Sequence, residues 1–497
     1  MFASLETGDG VGVWAAEPPH DAASRAAAIA ARVRMFRNMY ASSSLISVMN
    51  SISAVAQKLE NKAATYVKEN RLPGAAVGVV RDGSLAWWAP IGFADVERRQ
   101  APEPTTLYRI ASITKTFTGT AIMQLRDAGK LRLDDPAVLH VPELRSAQGD
   151  VDAVTIRRML SHESGLQSEP PGTDWRAAIY EGSISRVLDR VSEIGTKLSP
   201  NTQFKYSNLA YQVLGEIVTR VSGVPYADYV RANILEPLGM TSTFYDPPPE
   251  EARSRCATGY AGRFVSDELE HSPDAPCTSA EGGLWSCVQD LARWLSFQLQ
   301  GDSKVLKSST LQEMQTPRYL ADEGWNAAYG IAWSAWRRGS VVWIQHSGAL
   351  HGFRSNVCFD PKTKVGAIVL INGVGIAPVL SMDLAEIARE AVLAEPPRIE
   401  APPPMPQAYR TLVGVYHDRD LGVLMTLEWR GGKLTFVLPA LPDWRPTLAP
   451  TENPDVVLIE PGVRESGENA VFQRTPDGRV ASVFIAAGTW LRLETVT

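Results

Sequence analysis

The sequence predicts an α+β fold: one antiparallel sheet flanked by helices, a helical region beside it, and a separate small all-β domain at the C-terminus. Three observations predict it. Short apolar strands lie at both ends of the first four-fifths of the chain, with helical periodicity between them. A proline cluster then interrupts the pattern. Beyond it, short strands recur with turn residues between them.

Composition bounds the reading. At about 150 residues per domain, 497 residues imply about three domains. Hydrophobic residues are 44% and charged residues 21%, which excludes an intrinsically disordered chain. Glycine and proline show no three-residue period, which excludes collagen. The net charge is −6 with no basic block, so nucleic acid is not an expected partner. Four cysteines (Cys256, Cys277, Cys287 and Cys358) are too few for a disulfide framework and show no Cys-x-x-Cys spacing. The seven histidines form no His-Glu-x-x-His, so neither a metal nor a cofactor is expected.

The elements follow in chain order. Residues 1–51 read as an N-terminal extension, with Ala22–Val33 as a short helix. Met1 to Pro19 carries acids and glycines where a secretory signal needs positive charge and then an apolar core. Apolar runs such as Val365–Ile371 fall far short of the ~20 residues a bilayer requires, so no membrane span is expected. The expected location is cytoplasmic, and Arg37 followed by Leu45–Val48 leaves a periplasmic or secreted one open.

Val55, Leu59, Ala63, Tyr66 and Val67 recur at helical spacing until Pro73-Gly74 stops them. Ala75–Val80 and Leu85–Trp88 form a hairpin across Asp82-Gly83. Helices follow at Phe117–Ala128, closed by Gly129, at Leu209–Val221, closed by Gly223, and at Asp290–Leu299. Strand signals return at Val341–Gln345, Val357–Phe359 and Val365–Ile371, before a helix at Ser381–Val392. The first domain is therefore expected over residues 52–394. Six prolines between Glu395 and Pro406 make residues 395–406 a stiff linker. Residues 407–497 carry Leu424–Trp429, Leu434–Leu438, Val456–Glu460, Ala470–Arg474, Val480–Ile485 and Thr489–Leu493, the pattern of a small sandwich or barrel.

Three segments carry chemistry. Ser112 and Lys115 stand three apart at the start of an apolar helix, so they share a face. A serine there also lies beside free backbone N–H groups and the positive end of the helix dipole. Alone, the pair reads more simply as an N-cap serine beside a solvated lysine. Tyr206 and Asn208 alternate by two before the next helix, so an extended turn can aim both the same way. They offer a phenol for proton transfer and an amide for orientation, although a capping turn with Ser207 or Asn208 would look the same. Last, His346, Ser347 and Gly348 are polar or small where a buried strand would be apolar. Gly348 would let a substrate approach the strand backbone, and an edge strand entering a glycine turn is the plainer reading.

Order and spacing of these segments resemble the serine β-lactamase and penicillin-binding protein superfamily, with its Ser-x-x-Lys, Ser-Asp-Asn and Lys-Thr-Gly elements. The Tyr206-x-Asn208 form looks like the class C β-lactamase branch. Further stretches are similar to that branch: Arg158 to Leu166, Glu281 to Ser286, and Asp290 to Trp294. The resemblance covers about residues 52–393. It implies a β-lactamase-like fold and acyl transfer through an ester on Ser112. It makes Ser112, Lys115 and Tyr206 catalytic, and Asn208, His346, Ser347, Gly348 and Ala349 substrate-binding. Serine needs an adjacent base, and whether Lys115 or Tyr206 takes its proton stays open; a coupled pair is the expectation. Glu163 stays open as a further acid. By resemblance, the backbone N–H groups of Ser112 and Ala349 hold the oxyanion.

One departure matters. His346 stands where β-lactamases and penicillin-binding proteins carry lysine, and histidine is largely neutral near pH 7. The family's esterases and aminopeptidase-like hydrolases commonly show His-x-Gly there. The expected activity is therefore a serine hydrolase of carboxylesterase or D-amino-acid peptidase type, whose partner is a small-molecule or short-peptide acyl substrate. Alternatives are β-lactamase or DD-peptidase activity, an acyltransferase of the same fold, and a non-catalytic muropeptide binder. Tyr409 to Tyr416 resembles the opening of the lipocalin-like domains appended to D-aminopeptidase-like members. Trp175, Tyr180, Trp285 and Trp325 are candidate pocket walls.

Overall fold

The computed structural model describes residues 51–174, 183–261, 280–395, 403–418, 422–439, 441, 444–462, 465–486 and 488–493. The expected helix at Ala22–Val33 and the residues Trp175, Tyr180 and Cys277 lie outside them. Two compact units divide between Glu395 and Pro396.

The first unit is built on an eight-stranded sheet. Its strands are β1 (Gly74–Arg81), β2 (Ser84–Gly92), β3 (Tyr319–Leu320), β4 (Ala327–Tyr329), β5 (Ser334–Arg338), β6 (Val341–Leu350), β7 (Phe353–Asp360) and β8 (Val365–Ile371). The order across the sheet is β2-β1-β8-β7-β6-β5-β4-β3, every neighbour antiparallel. The first hairpin thus joins the late strands, with Ala75 opposite Ile371 and Arg81 opposite Val365.

The central strands are continuous apolar runs because both faces are covered. Alternate side chains divide between two cores. Ala75, Val77 and Val79 of β1 pack with Ala367, Val369 and Ile371 of β8, under helices α1 (Ala56–Glu69) and α5 (Ala377–Leu393). Ala76 and Val80 face the other way with Ile368 and Leu370. That second core holds α2 (Thr114–Asp127), α3 (Asn208–Ser222) and α4 (Val288–Gln300). Helix α3 ends as expected at Gly223, whose φ of 76° closes it in the left-handed conformation. Between α2 and α3 lie short helical turns, and a three-stranded sheet joins Tyr108–Arg109, Leu284–Ser286 and Phe244–Tyr245.

The second unit is a closed barrel of eight antiparallel strands in sequence order, the lipocalin-like form. Its first strand, Gly414–Asp418, closes on its last, Gly488–Arg492. Tyr416, Leu427, Phe436, Leu448, Ile459, Phe472 and Val483 are among the buried residues of its core. Among the described residues, no helix is long and apolar enough to cross a membrane.

Candidate active site

Ser112 sits in a single 3₁₀ turn, Ala111–Ile113, that leads into α2. Ala111 holds φ at +47°, a conformation L side chains rarely adopt. The turn is fixed from both sides. The Ile110 amide donates to the Leu284 carbonyl at 3.0 Å, and Ser355 Oγ donates to the Ile110 carbonyl at 2.8 Å.

Helix α2 is buried on every face through its first ten residues, Thr114 to Met123. Lys115 is therefore fully buried, at 0% exposure, one turn along from Ser112. A buried ammonium is costly unless its donors are used. Here all three are: Nζ donates to Ser112 Oγ at 3.1 Å, to Asn208 Oδ1 at 2.7 Å and to the Glu281 carbonyl at 2.9 Å. The Tyr206 and Tyr211 rings lie 5.0 and 5.5 Å from it, within cation–π range.

The second segment is positioned by the Arg158 to Leu166 stretch. Ser207 caps α3, its Oγ accepting from the Ala210 amide at 3.0 Å and donating to the Gln167 carbonyl at 2.7 Å. The Ser207 amide donates to His162 Nδ1 at 3.1 Å, and the Asn208 amide to the Ser168 carbonyl at 2.7 Å. With Ser207 turned inward, Tyr206 and Asn208 both face the cavity. The cap and the functional pair coexist. The His162 ring lies against Tyr206, tilted by 33° with centroids 4.2 Å apart. Burial, then the Lys115 charge, holds the His162 pKa well below the usual imidazole value.

The third segment lies within β6, which runs to Leu350 instead of stopping at Gln345. Pairing with β5 ends at Ser334 opposite Gln345, so among the described residues the edge from His346 onward has no strand beside it. Ser347 and Ala349 line the cavity there, alongside Ser112. Gly348 serves a different purpose from the one its sequence suggests. A Cβ at Gly348 would meet the Ile110 carbonyl at 2.1 Å and Ser355 Oγ at 2.3 Å. The backbone that leads into the Ser112 turn, together with Ser355, takes the space this glycine leaves.

His346 is buried and bonded at both ring nitrogens. Nδ1 donates to the Ser347 carbonyl at 2.8 Å, which leaves Nε2 to accept from the Tyr329 hydroxyl at 2.7 Å. Burial, with the Lys115 charge, pushes its pKa down to about 3.

These residues open on a cavity of about 560 Å³. Its aromatic walls are Phe204, Tyr206, Tyr329 and Trp336. Of the tryptophans expected there, Trp285 and Trp325 lie elsewhere. Trp285 is buried with its Nε1 donating to Asp246 Oδ1 at 3.0 Å and Arg109 over its ring, and Trp325 is 64% exposed. Sequence reasoning missed Glu169. Its two carboxylate oxygens accept from Asn208 Nδ2 at 2.9 and 3.1 Å, and it lines the cavity, whereas Glu163 does not. Asn208 therefore turns its oxygen to Lys115 and its nitrogen to Glu169. Among the described residues no cluster of side chains could hold a metal ion.

Comparison with known proteins places the fold. "Protein flp" of Staphylococcus aureus (strain NCTC 8325 / PS 47) is 29% identical over 323 residues, 62% of this chain and 61% of that protein. "Beta-lactamase-like protein 2" of Dictyostelium discoideum is 27% identical over 317 residues, 61% of this chain and 56% of that protein. The chain thus spans about three-fifths of the curated relatives it matches. Among solved structures, the octameric penicillin-binding protein homologue from Pyrococcus abyssi aligns at a TM-score of 0.59 with 24% identity, over 88% of this chain and 99% of that one. A class C beta-lactamase aligns at 0.57 with 21% identity, over 67% of this chain and 96% of that one. The Beta-lactamase family itself matches residues 59–391, from within α1 to within α5. With its sheet, its paired Ser112 and Lys115 and its Tyr206-x-Asn208 turn, the chain belongs to the beta-lactamase family.

Proposed function

We propose that the protein is a serine hydrolase that forms an acyl-enzyme on Ser112 and hydrolyses small ester or amide substrates, of carboxylesterase or D-amino-acid peptidase type. The observation that carries this reading is the 3.1 Å contact between Ser112 Oγ and Nζ of the fully buried Lys115. A binder needs no such pair.

In this reading Ser112 Oγ attacks the substrate carbonyl, and its proton passes to the Lys115–Tyr206 pair. The oxyanion is held by the Ser112 and Ala349 backbone N–H groups. Tyr206 returns the proton to the leaving group, then takes one from the water that attacks the ester and gives it to Ser112 Oγ as the acyl bond to serine breaks. Asn208 keeps Lys115 in place through its 2.7 Å bond. A β-lactamase or DD-peptidase is less well supported. Those enzymes meet a substrate carboxylate with a lysine in the third element, and His346 is neutral and already bonded on both sides.

Ser112→Ala tests the reading. The variant should lose labelling by a fluorophosphonate probe and all ester turnover, while the wild type labels at Ser112. Labelling that persists in the variant would remove Ser112 as the nucleophile.

A further inference from the structure

We propose that Glu169 selects the charge of the substrate, favouring an acyl compound that carries an ammonium group and rejecting one that carries a carboxylate. The proposal rests on the hydrolase reading above and names its substrate class.

The cavity's charge is one-sided. Among the described residues that line it, Glu169 alone carries a carboxylate, and none carries an ammonium or guanidinium. The site's own cation, Lys115, is fully buried behind the lining with its three donors committed. His346 has both nitrogens taken by Tyr329 and Ser347. Lys205, near in sequence, donates to Ser168 Oγ at 3.2 Å and does not line the cavity.

Glu169 has capacity to spare. A carboxylate offers about four lone-pair directions, and the single Asn208 nitrogen leaves some of them for a ligand's N–H donors. The remaining walls suit the same guest. Phe204, Tyr206, Tyr329 and Trp336 present aromatic rings, which attract cations as well as apolar groups. A substrate with a free amine near its acyl carbon, such as an unblocked amino-acid ester or amide, satisfies both the carboxylate and the rings. A carboxylate in the same place would face Glu169 across a cavity whose described lining carries no compensating charge.

The test compares three benzyl esters of alanine at about pH 6, below the α-amino pKa: the free amine, the N-acetyl and the N-succinyl compound. Wild-type kcat/KM should fall in that order. Glu169→Gln keeps an acceptor for Asn208 and removes the charge, and should shrink the ratio of the first to the last by roughly tenfold. High salt should compress the wild-type ratio in the same direction, which decides the matter even where the variant does not fold. A wild type indifferent to substrate charge and to salt, or a ratio unchanged in Glu169→Gln, overturns the proposal while Ser112 still labels. No labelling and no turnover of any ester overturns the hydrolase reading with it.

Discussion

Two histidines at the candidate site are kept neutral by their surroundings. His162 lies under Tyr206, Tyr211 and Tyr329, and His346 lies between Tyr329 and the Ser347 carbonyl. Both folded-state pKa values are depressed, that of His346 to about 3. Below about pH 6.5 the unfolded chain therefore binds protons that the folded one refuses. Stability is complete above that value and falls as pH drops through the window, by up to about 1.4 kcal/mol per pH unit for each ring. Urea unfolding of wild type and His346→Gln between about pH 5 and 7 should show the steeper loss in the wild type; parallel curves would contradict it. At this scale the sequence singled out Ser112 with Lys115 and Tyr206 with Asn208, since each pair falls within one short segment, and Lys115 joins the two segments through its bonds to Ser112 and Asn208. Glu169 and Tyr329 were hidden because their partners, Asn208 and His346, come from other elements.

Strand β6 carries two demands along one line. Up to Gln345 it pairs with β5, and at Ile344 and Gln345 with β7 as well. From His346 it is an edge that faces the nucleophile turn. The apolar pattern stops where the second demand begins, which is why the periodicity ended the strand five residues early. Gly348 is the point of closest approach, and Gly348→Ala should force β6 and Ile110 apart. A loss of about 1–3 kcal/mol in thermal or denaturant unfolding is expected, with slower fluorophosphonate labelling of Ser112. Normal labelling in a stable variant would show that the turn yields freely. The barrel strand Thr447–Pro450 also escaped sequence reading, being four residues long and ending in proline.

Across the molecule, the hydrolase unit and the barrel have separate cores with no residue in common. A chain ending at Glu395 keeps the bidentate pair from Arg81 to that residue, at 2.7 and 2.9 Å. It should fold and label at Ser112. Comparing its ester and peptide turnover with that of the full chain measures what the barrel contributes, and unchanged selectivity would assign it no part in substrate choice. The sheet itself was legible as strands at both ends of one domain, because continuous apolar runs mark strands buried on two faces. Their register was not, since it depends on pairs such as Ala75 with Ile371 that no local pattern links. That pairing also sets when the sheet can be completed. A ribosome must release the last strand of the sheet before the first hairpin has anything to join on its open edge. A nascent chain that stops short of Ile371 therefore carries that edge uncovered.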